Sequence, residues 1–241
     1  MNIVCIYQPY PGLGDHLQHS TLPKLYHSLG SKVFISNKCV YRNDEIKELV
    51  WESNPYVEGF SDIEPNAGMS CPTIQSEAVK IWKPTTVSLT NIELSHGFKR
   101  ERPRPELHYK PKLISGLSEV TIFDASACTA YSNYKSEKIA EIVAEKFGND
   151  VLYIKSKKIE QKEHEDLSTK RFDLMYVKSI FEYCDVISSC KNFVSLMSGG
   201  HSLCQAIRDK NSYCIISDDL FKVHKQRGLF LNEDLVSYIK F

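Results

Sequence analysis

No stretch of this 241-residue sequence approaches the ~18 consecutive apolar residues that a membrane-spanning helix needs. No charge sign predominates either: 30 Lys and Arg stand against 30 Asp and Glu. Without a net field to recruit polyanions, the composition argues against a dedicated nucleic-acid binder or a protein held on an anionic membrane by its charge. The eight cysteines, at 5, 39, 71, 128, 184, 190, 204 and 214, include no C-x-x-C pair. Several lie in apolar runs, where cysteine behaves as a small hydrophobe, so buried reduced thiols are expected rather than a disulfide framework. The first residues show no basic segment followed by an apolar one, so no secretory signal is expected and a cytoplasmic location is. What is present is ordinary for a globular protein, 42% hydrophobic and 25% charged, and long enough for one large domain or two small ones.

The chain alternates between two periods. Asn2 to Tyr7 is apolar and β-prone, and reads as a strand buried on both faces. Leu17, Leu22, Leu25 and Leu29 then recur at helical spacing, with Gly30 at the stop and Lys32 to Ser36 as a second strand. A short helix capped by Asn43 or Asp44, a strand over 56–60, a strand over 85–89 and a helix over 91–97 follow. Residues 99–112, KRERPRPELHYKPK, hold three prolines and no regular period, so an extended linker is expected. Beyond it the rhythm restarts: strand 119–124, helix 134–147 ended by Gly148, strand 151–154, a solvated charged run over 155–171, helix 174–184, strand 192–196, a helix from His201 and strand 213–216. Strands alternating with helices on both sides of a linker predict an α/β protein of two Rossmann-like, doubly wound domains, 1–112 and 113–241, facing a cleft.

Two strand-loop-helix turns can carry chemistry. In the first, Gly12 and Gly14 permit close backbone approach, and the helix amides that follow can face an anion. Asp15 there reads equally as a functional acid and as a structural N-cap, and both readings stay open. No glycine stands at Leu17, so the loop is not a G-x-G-x-x-G dinucleotide fingerprint. In the second, Ser198, Gly199, Gly200, His201 and Ser202 offer amides, hydroxyls and an imidazole at the start of a helix, suited to a phosphate; a plain capped turn is the alternative. The segment is not a G-x-S-x-G nucleophile elbow. His16 and His19 are spaced to share a metal, but no third ligand is apparent, so no metal site is assigned.

Gly14-Asp15, Thr21-Leu22-Pro23, Asn54-Pro55-Tyr56 and Ser198-Gly199-Gly200-His201-Ser202-Leu203 together resemble the motifs of the heptosyltransferase-like family of GT-B glycosyltransferases. Pro23 falls eight residues after Asp15, two further than in that family, and Leu196-Met197-Ser198 stands where it carries an acidic-Thr-Gly element. The resemblance implies metal-independent, inverting transfer of a hexosyl or heptosyl group, with Asp15 as general base and no cofactor beyond the nucleotide-sugar donor. It implies substrate or nucleotide contacts at Gly12, Gly14, His16, Ser198, Gly199, Gly200, His201 and Ser202, with His201 a charge-assisted donor to phosphate. The partners it implies are a nucleotide-sugar and a glycan or lipid-linked glycan acceptor, which leaves room for peripheral membrane contact. A nucleotide-binding oxidoreductase would want an acid at the end of the second strand, which instead ends Ser36-Asn37-Lys38. A non-catalytic, degenerate GT-B protein is the other alternative.

Overall fold

A computed structural model describes residues 2–68, 88–100, 103–126, 136–156, 171–227 and 235–241. The chain divides into two compact units: Met1–Tyr109 with Asp219–Asn232, and Lys110–Asp218 with Glu233–Phe241.

The first unit is built on a parallel sheet of β1 (Ile3–Tyr7), β2 (Lys32–Ser36), β3 (Gly59–Ser61) and β4 (Ala67–Gly68), in the order β3-β2-β1-β4. Cys5, Ile6, Val33 and Ile35 are wholly buried, as expected of central strands covered on both faces. The strand expected over 56–60 is the shorter β3. Its neighbour β4 runs so close to β1 that a Cβ on Gly68, at φ +100°, would lie within 3 Å of the Tyr7 backbone nitrogen. Only glycine fits that crossing.

The expected single helix after β1 is two: α1 (Leu13–Leu17) and α2 (Leu22–Ser28), with Pro23 in the first turn of α2. Proline is tolerated there because the amide it lacks has no helical acceptor anyway. The break at 18–21 is held by side chains. Ser20 Oγ donates to the Leu17 carbonyl at 2.8 Å and accepts from Glu106 N–H at 2.8 Å, and Thr21 Oγ1 donates to Glu93 at 2.7 Å. The two extra residues between Asp15 and Pro23 are thus taken up by a turn. Next come α3 (Asp44–Lys47), capped by Asn43 through Ile46 N–H at 3.1 Å, and a π turn over Glu48–Glu52 that buries Trp51. Helix α4 (Ser88–Ser95) includes Ser88 and Leu89, where a strand was expected. Residues 85–87 and Trp82 lie outside the described residues.

The second unit carries six parallel strands in the order β10-β9-β8-β5-β6-β7: β5 (Thr121–Asp124), β6 (Val151–Ser156), β7 (Asp173–Val177), β8 (Asn192–Leu196), β9 (Ser212–Ile216) and β10 (Ser237–Lys240). Helix α5 (Ser136–Phe147) buries Ile139, Ala140, Val143 and Ala144 at helical spacing. Gly148 at φ +83° ends it, donating to the Ala144 carbonyl at 2.9 Å in the left-handed cap that glycine favours. The helix expected from Leu174 is corrected: 173–177 is the edge strand β7, paired with β6, and α6 begins at Ile180 and runs to Ser189. Ser179 caps it, accepting Glu182 N–H at 3.1 Å, while Glu182 Oε2 accepts Lys178 N–H at 2.6 Å. Then comes α7 (Gly199–Ile207); the following helix α8 (Asp218–Arg227) belongs from Asp219 onward to the first unit. The charged residues 157–170 and the expected helix start at 134–135 lie outside the described residues.

Residues 103–114 hold no regular structure but are strapped down, each part to its own unit. Lys24 pairs with Glu106 at 2.9 Å, and the amides of Lys112 and Ile114 donate to Asp185 and Ser189 at 2.8 Å each. Six cysteines, 5, 39, 184, 190, 204 and 214, are buried free thiols.

Candidate functional site

In each sheet the strand order reverses beside one strand, and the loop there opens outward at the carboxyl ends. In the first unit that strand is β1, flanked by β2 and β4; in the second it is β5, flanked by β6 and β8. Ligands of open α/β sheets bind at such points.

Gly12 is the N-cap of α1, at φ −75° and ψ 143°, and Asp15 is the third helical residue. The carboxylate folds back over the cap: a Cβ on Gly12 would lie 2.5 Å from Asp15 Oδ2. Hence glycine at 12 makes room for the acid. Gly14 sits buried in the same turn. Asp15 is half-buried, and that burial raises its pKa, against the opposing pull of the Arg42 charge and of the Asp15 and Gly12 amides. A raised carboxyl is a stronger base, held by a cap geometry that fixes its direction.

Gln8, absent from the sequence-based expectations, anchors this loop. Its Oε1 accepts Tyr10 N–H at 3.0 Å, and its Nε2 donates to the Asp15 carbonyl at 3.1 Å. His16 is fully buried. Trp51 Nε1–H donates to its Nδ1 at 2.9 Å, so Nε2 carries the proton and donates to the Val40 carbonyl at 2.9 Å. The ring stacks on Tyr41 with centroids 4.7 Å apart, and burial lowers its pKa to about 4. With both nitrogens spent inside the protein, His16 supports the loop from beneath. His19 is also buried, with Nδ1 2.9 Å from the Asp15 carbonyl. Among the described residues no group of three or more His, Cys, Asp or Glu side chains is placed to hold a metal.

In the second unit Ser198 is the N-cap of α7, with its hydroxyl unpartnered and making no cap bond. The first amides of a helix have no acceptor within it, so Gly199 and Gly200 present donors at this turn. Ser202, one turn on, is fully buried with its Oγ unpartnered. His201 is fully buried too. With the Ser195 hydroxyl donating to the Leu196 carbonyl, His201 Nδ1–H donates to Ser195 Oγ at 2.6 Å, and Nε2 accepts from Ser212 at 3.2 Å. Burial lowers its pKa to about 3, so the ring is neutral. That geometry does not provide the cationic phosphate donor expected of His201; the ring instead pins α7 to β8 and β9.

No protein-family model and no curated protein sequence matches the chain. Solved structures do. The Escherichia coli heptosyltransferase WaaC with ADP superposes with TM-score 0.63 at 12% identity, covering 99% of this chain and 93% of that one. The chain has the GT-B fold of the heptosyltransferases. A glycosyl transferase family 9 protein from Veillonella parvula superposes with TM-score 0.57 at 9% identity, over 100% of this chain and 86% of that one. The iron-containing dodecameric glycosyltransferase TibC from enterotoxigenic E. coli superposes with TM-score 0.60 at 16% identity. This GT-B chain is 89% covered by that match but spans only 57% of TibC. Among the described residues no helix is long and apolar enough to cross a membrane.

Proposed function

We propose that the protein is a glycosyltransferase that moves a sugar from a nucleotide-sugar to a hydroxyl of a glycan or lipid-linked glycan. The observation that carries this reading is Asp15: in a GT-B fold, a half-buried acid stands where the loop leaves the central strand of the first unit, with a raised pKa and a fixed direction. In the proposed step the acceptor oxygen attacks the anomeric carbon and its proton passes to Asp15. The bond from that carbon to the diphosphate oxygen breaks, and the nucleoside diphosphate leaves with the electron pair. Attack opposite the leaving group inverts the anomeric centre. The Gly199 and Gly200 amides and the Ser198 hydroxyl supply donors for the diphosphate as its charge grows. His16 and His201 act from behind, holding the two turns. The step as written uses neither a metal nor an organic cofactor.

The solved relatives include heptosyltransferases with ADP and with ADP-D-beta-D-heptose, which makes adenine diphosphates the first probes. Calorimetry with ADP, UDP, GDP and CMP tests the reading directly. Saturable binding of one of them, weakened by Ser198→Ala with the melting temperature kept because that hydroxyl makes no cap bond, is the expected result. Failure of all four to bind would overturn it.

A further inference from the structure

One buried acid plays no part in the chemistry above. Asp124 ends β5 and is 3% exposed. Its carboxyl accepts Ser126 N–H at 2.7 Å, the Ser126 hydroxyl, and the Tyr183 hydroxyl from α6. Directly over this pair sits Gly200, the second residue of α7. A Cβ there would lie 2.9 Å from Asp124 Oδ2 and nearer still to the Tyr183 hydroxyl. Glycine at 200 therefore lets the helix turn rest on the Asp124–Tyr183 pair; any side chain would push them apart.

The pair stands where the unit's sheet reverses. Asp124 faces Ser195 of β8 in register, and Ser195 in turn holds His201 of α7. Three segments thus converge on one carboxyl: the end of β5, the middle of α6 and the first turn of α7. We propose that Asp124 and Tyr183 are positioning residues that set the first turn of α7, and with it the Gly199 and Gly200 amides, against the diphosphate of a nucleoside diphosphate. This rests on reading α7 as the diphosphate turn. A buried hydrogen-bonded pair is suited to such a task because losing either partner leaves the other unsatisfied beneath the turn. Burial raises both the Asp124 carboxyl and the Tyr183 hydroxyl, which keeps the tyrosine protonated as the donor to the carboxyl. Asparagine keeps an acceptor for Ser126 but sets an amide, which cannot accept, against the Tyr183 hydroxyl.

Amide exchange on the ligand-free protein, together with titrations of ADP, UDP and AMP, tests this in wild type, Asp124→Asn, Asp124→Ala and Tyr183→Phe. Faster exchange over residues 199–202 in Asp124→Ala and Tyr183→Phe is expected. Their affinity for the diphosphate that wild type binds should fall about tenfold, while affinity for AMP changes by less than about threefold. Asp124→Asn keeps the shape and the Ser126 contact but gives the Tyr183 hydroxyl no acceptor, so it should loosen the turn and weaken diphosphate binding as Tyr183→Phe does. The nearly unchanged AMP affinity separates this from mere loss of stability. Tyr183→Phe keeps the ring and decides the matter if the alanine variant fails to fold. Wild-type exchange and diphosphate affinity in Tyr183→Phe would overturn the positioning role alone. If wild type binds neither of these diphosphates nor GDP, the reading of α7 as the diphosphate turn fails, and this proposal with it.

Discussion

Asp15 does two jobs that one substitution separates. Its carboxylate completes the cap of α1 by reaching back over Gly12, and its raised pKa suits it to take a proton. Gly12, not Asp15, is the N-cap, but asparagine matches aspartate in shape and keeps one acceptor oxygen for the amides of that turn, while accepting no proton at neutral pH. With a working donor and acceptor, Asp15→Asn is therefore expected to lower kcat about 10²-fold or more while the melting temperature stays near wild type. Unchanged turnover would leave Asp15 a cap alone. The pH profile follows from the same shift. The base works only when ionised, so kcat/KM should rise with pH and level off above the ordinary aspartate value of about 3.9. A limb at or below that value would show that burial does not govern the group. Residue types marked this acid in the sequence as a carboxylate after two glycines at a strand's end, but left a cap and a functional acid equally open, and only the resemblance to the heptosyltransferase motifs favoured the second. They could not reveal Gln8 or Asp124. Each acts through contacts between segments far apart in the chain, and Asp124 reads simply as the last residue of a strand.

At the scale of elements, helix ends and the break in the first helix carry the testable energetics. Ser179 caps α6 by accepting Glu182 N–H, and the Glu182 carboxylate reaches back past the cap to accept Lys178 N–H. Ser179→Ala should cost about 1 kcal/mol in urea unfolding, with no change in nucleotide affinity. The turn at 18–21 depends on Glu93, which is 1% exposed at its side chain and bonded to both Thr21 and Arg100. Arg100→Ala removes the cation and leaves the buried carboxylate with Thr21 alone. A loss of roughly 2–4 kcal/mol is expected, and a cost below about 0.5 kcal/mol would show that the acid protonates or finds water instead. The central strands of both sheets were legible because buried parallel strands are nearly continuous apolar runs, whereas the short edge strands β4 and β10 were not. Nor was the edge strand β7. Its residues Asp173 to Val177 alternate weakly, since an edge strand is covered less, and their apolar members also fit a helical period. The Ser179-x-x-Glu182 spacing marks the true start of α6 and was there to be read. The two-helix break came from a surplus of two residues that spacing alone could register but not place.

For the whole molecule, buried neutral histidines make stability depend on pH. Burial lowers His16 and His19 from 6.5 to about 4, and His201 from 6.5 to about 3. His96 shifts the same way by burial. When the chain unfolds, each ring regains an ordinary pKa and takes up a proton that the folded state refuses. Their contribution is thus fully present above about 6.5 and is lost as pH falls from there toward 4. The carboxyls of Asp15 and Asp124 act in the opposite sense, because burial raises them and the folded state holds their protons more tightly. Stabilisation from those two is present at low pH and fades as pH rises through their folded values. A stability curve alone would mix the two effects, so the comparison belongs between variants. Glutamine can replace His201 as a neutral group that still reaches Ser195 or Ser212. In His201→Gln the free energy of unfolding should fall less steeply between pH 6.5 and 4.5, with proton uptake on unfolding smaller by up to one. Urea unfolding at half-unit pH steps measures that slope. Parallel curves for wild type and variant would mean that the His201 ring carries a proton in the folded state, and would restore it as a cation beside the α7 turn.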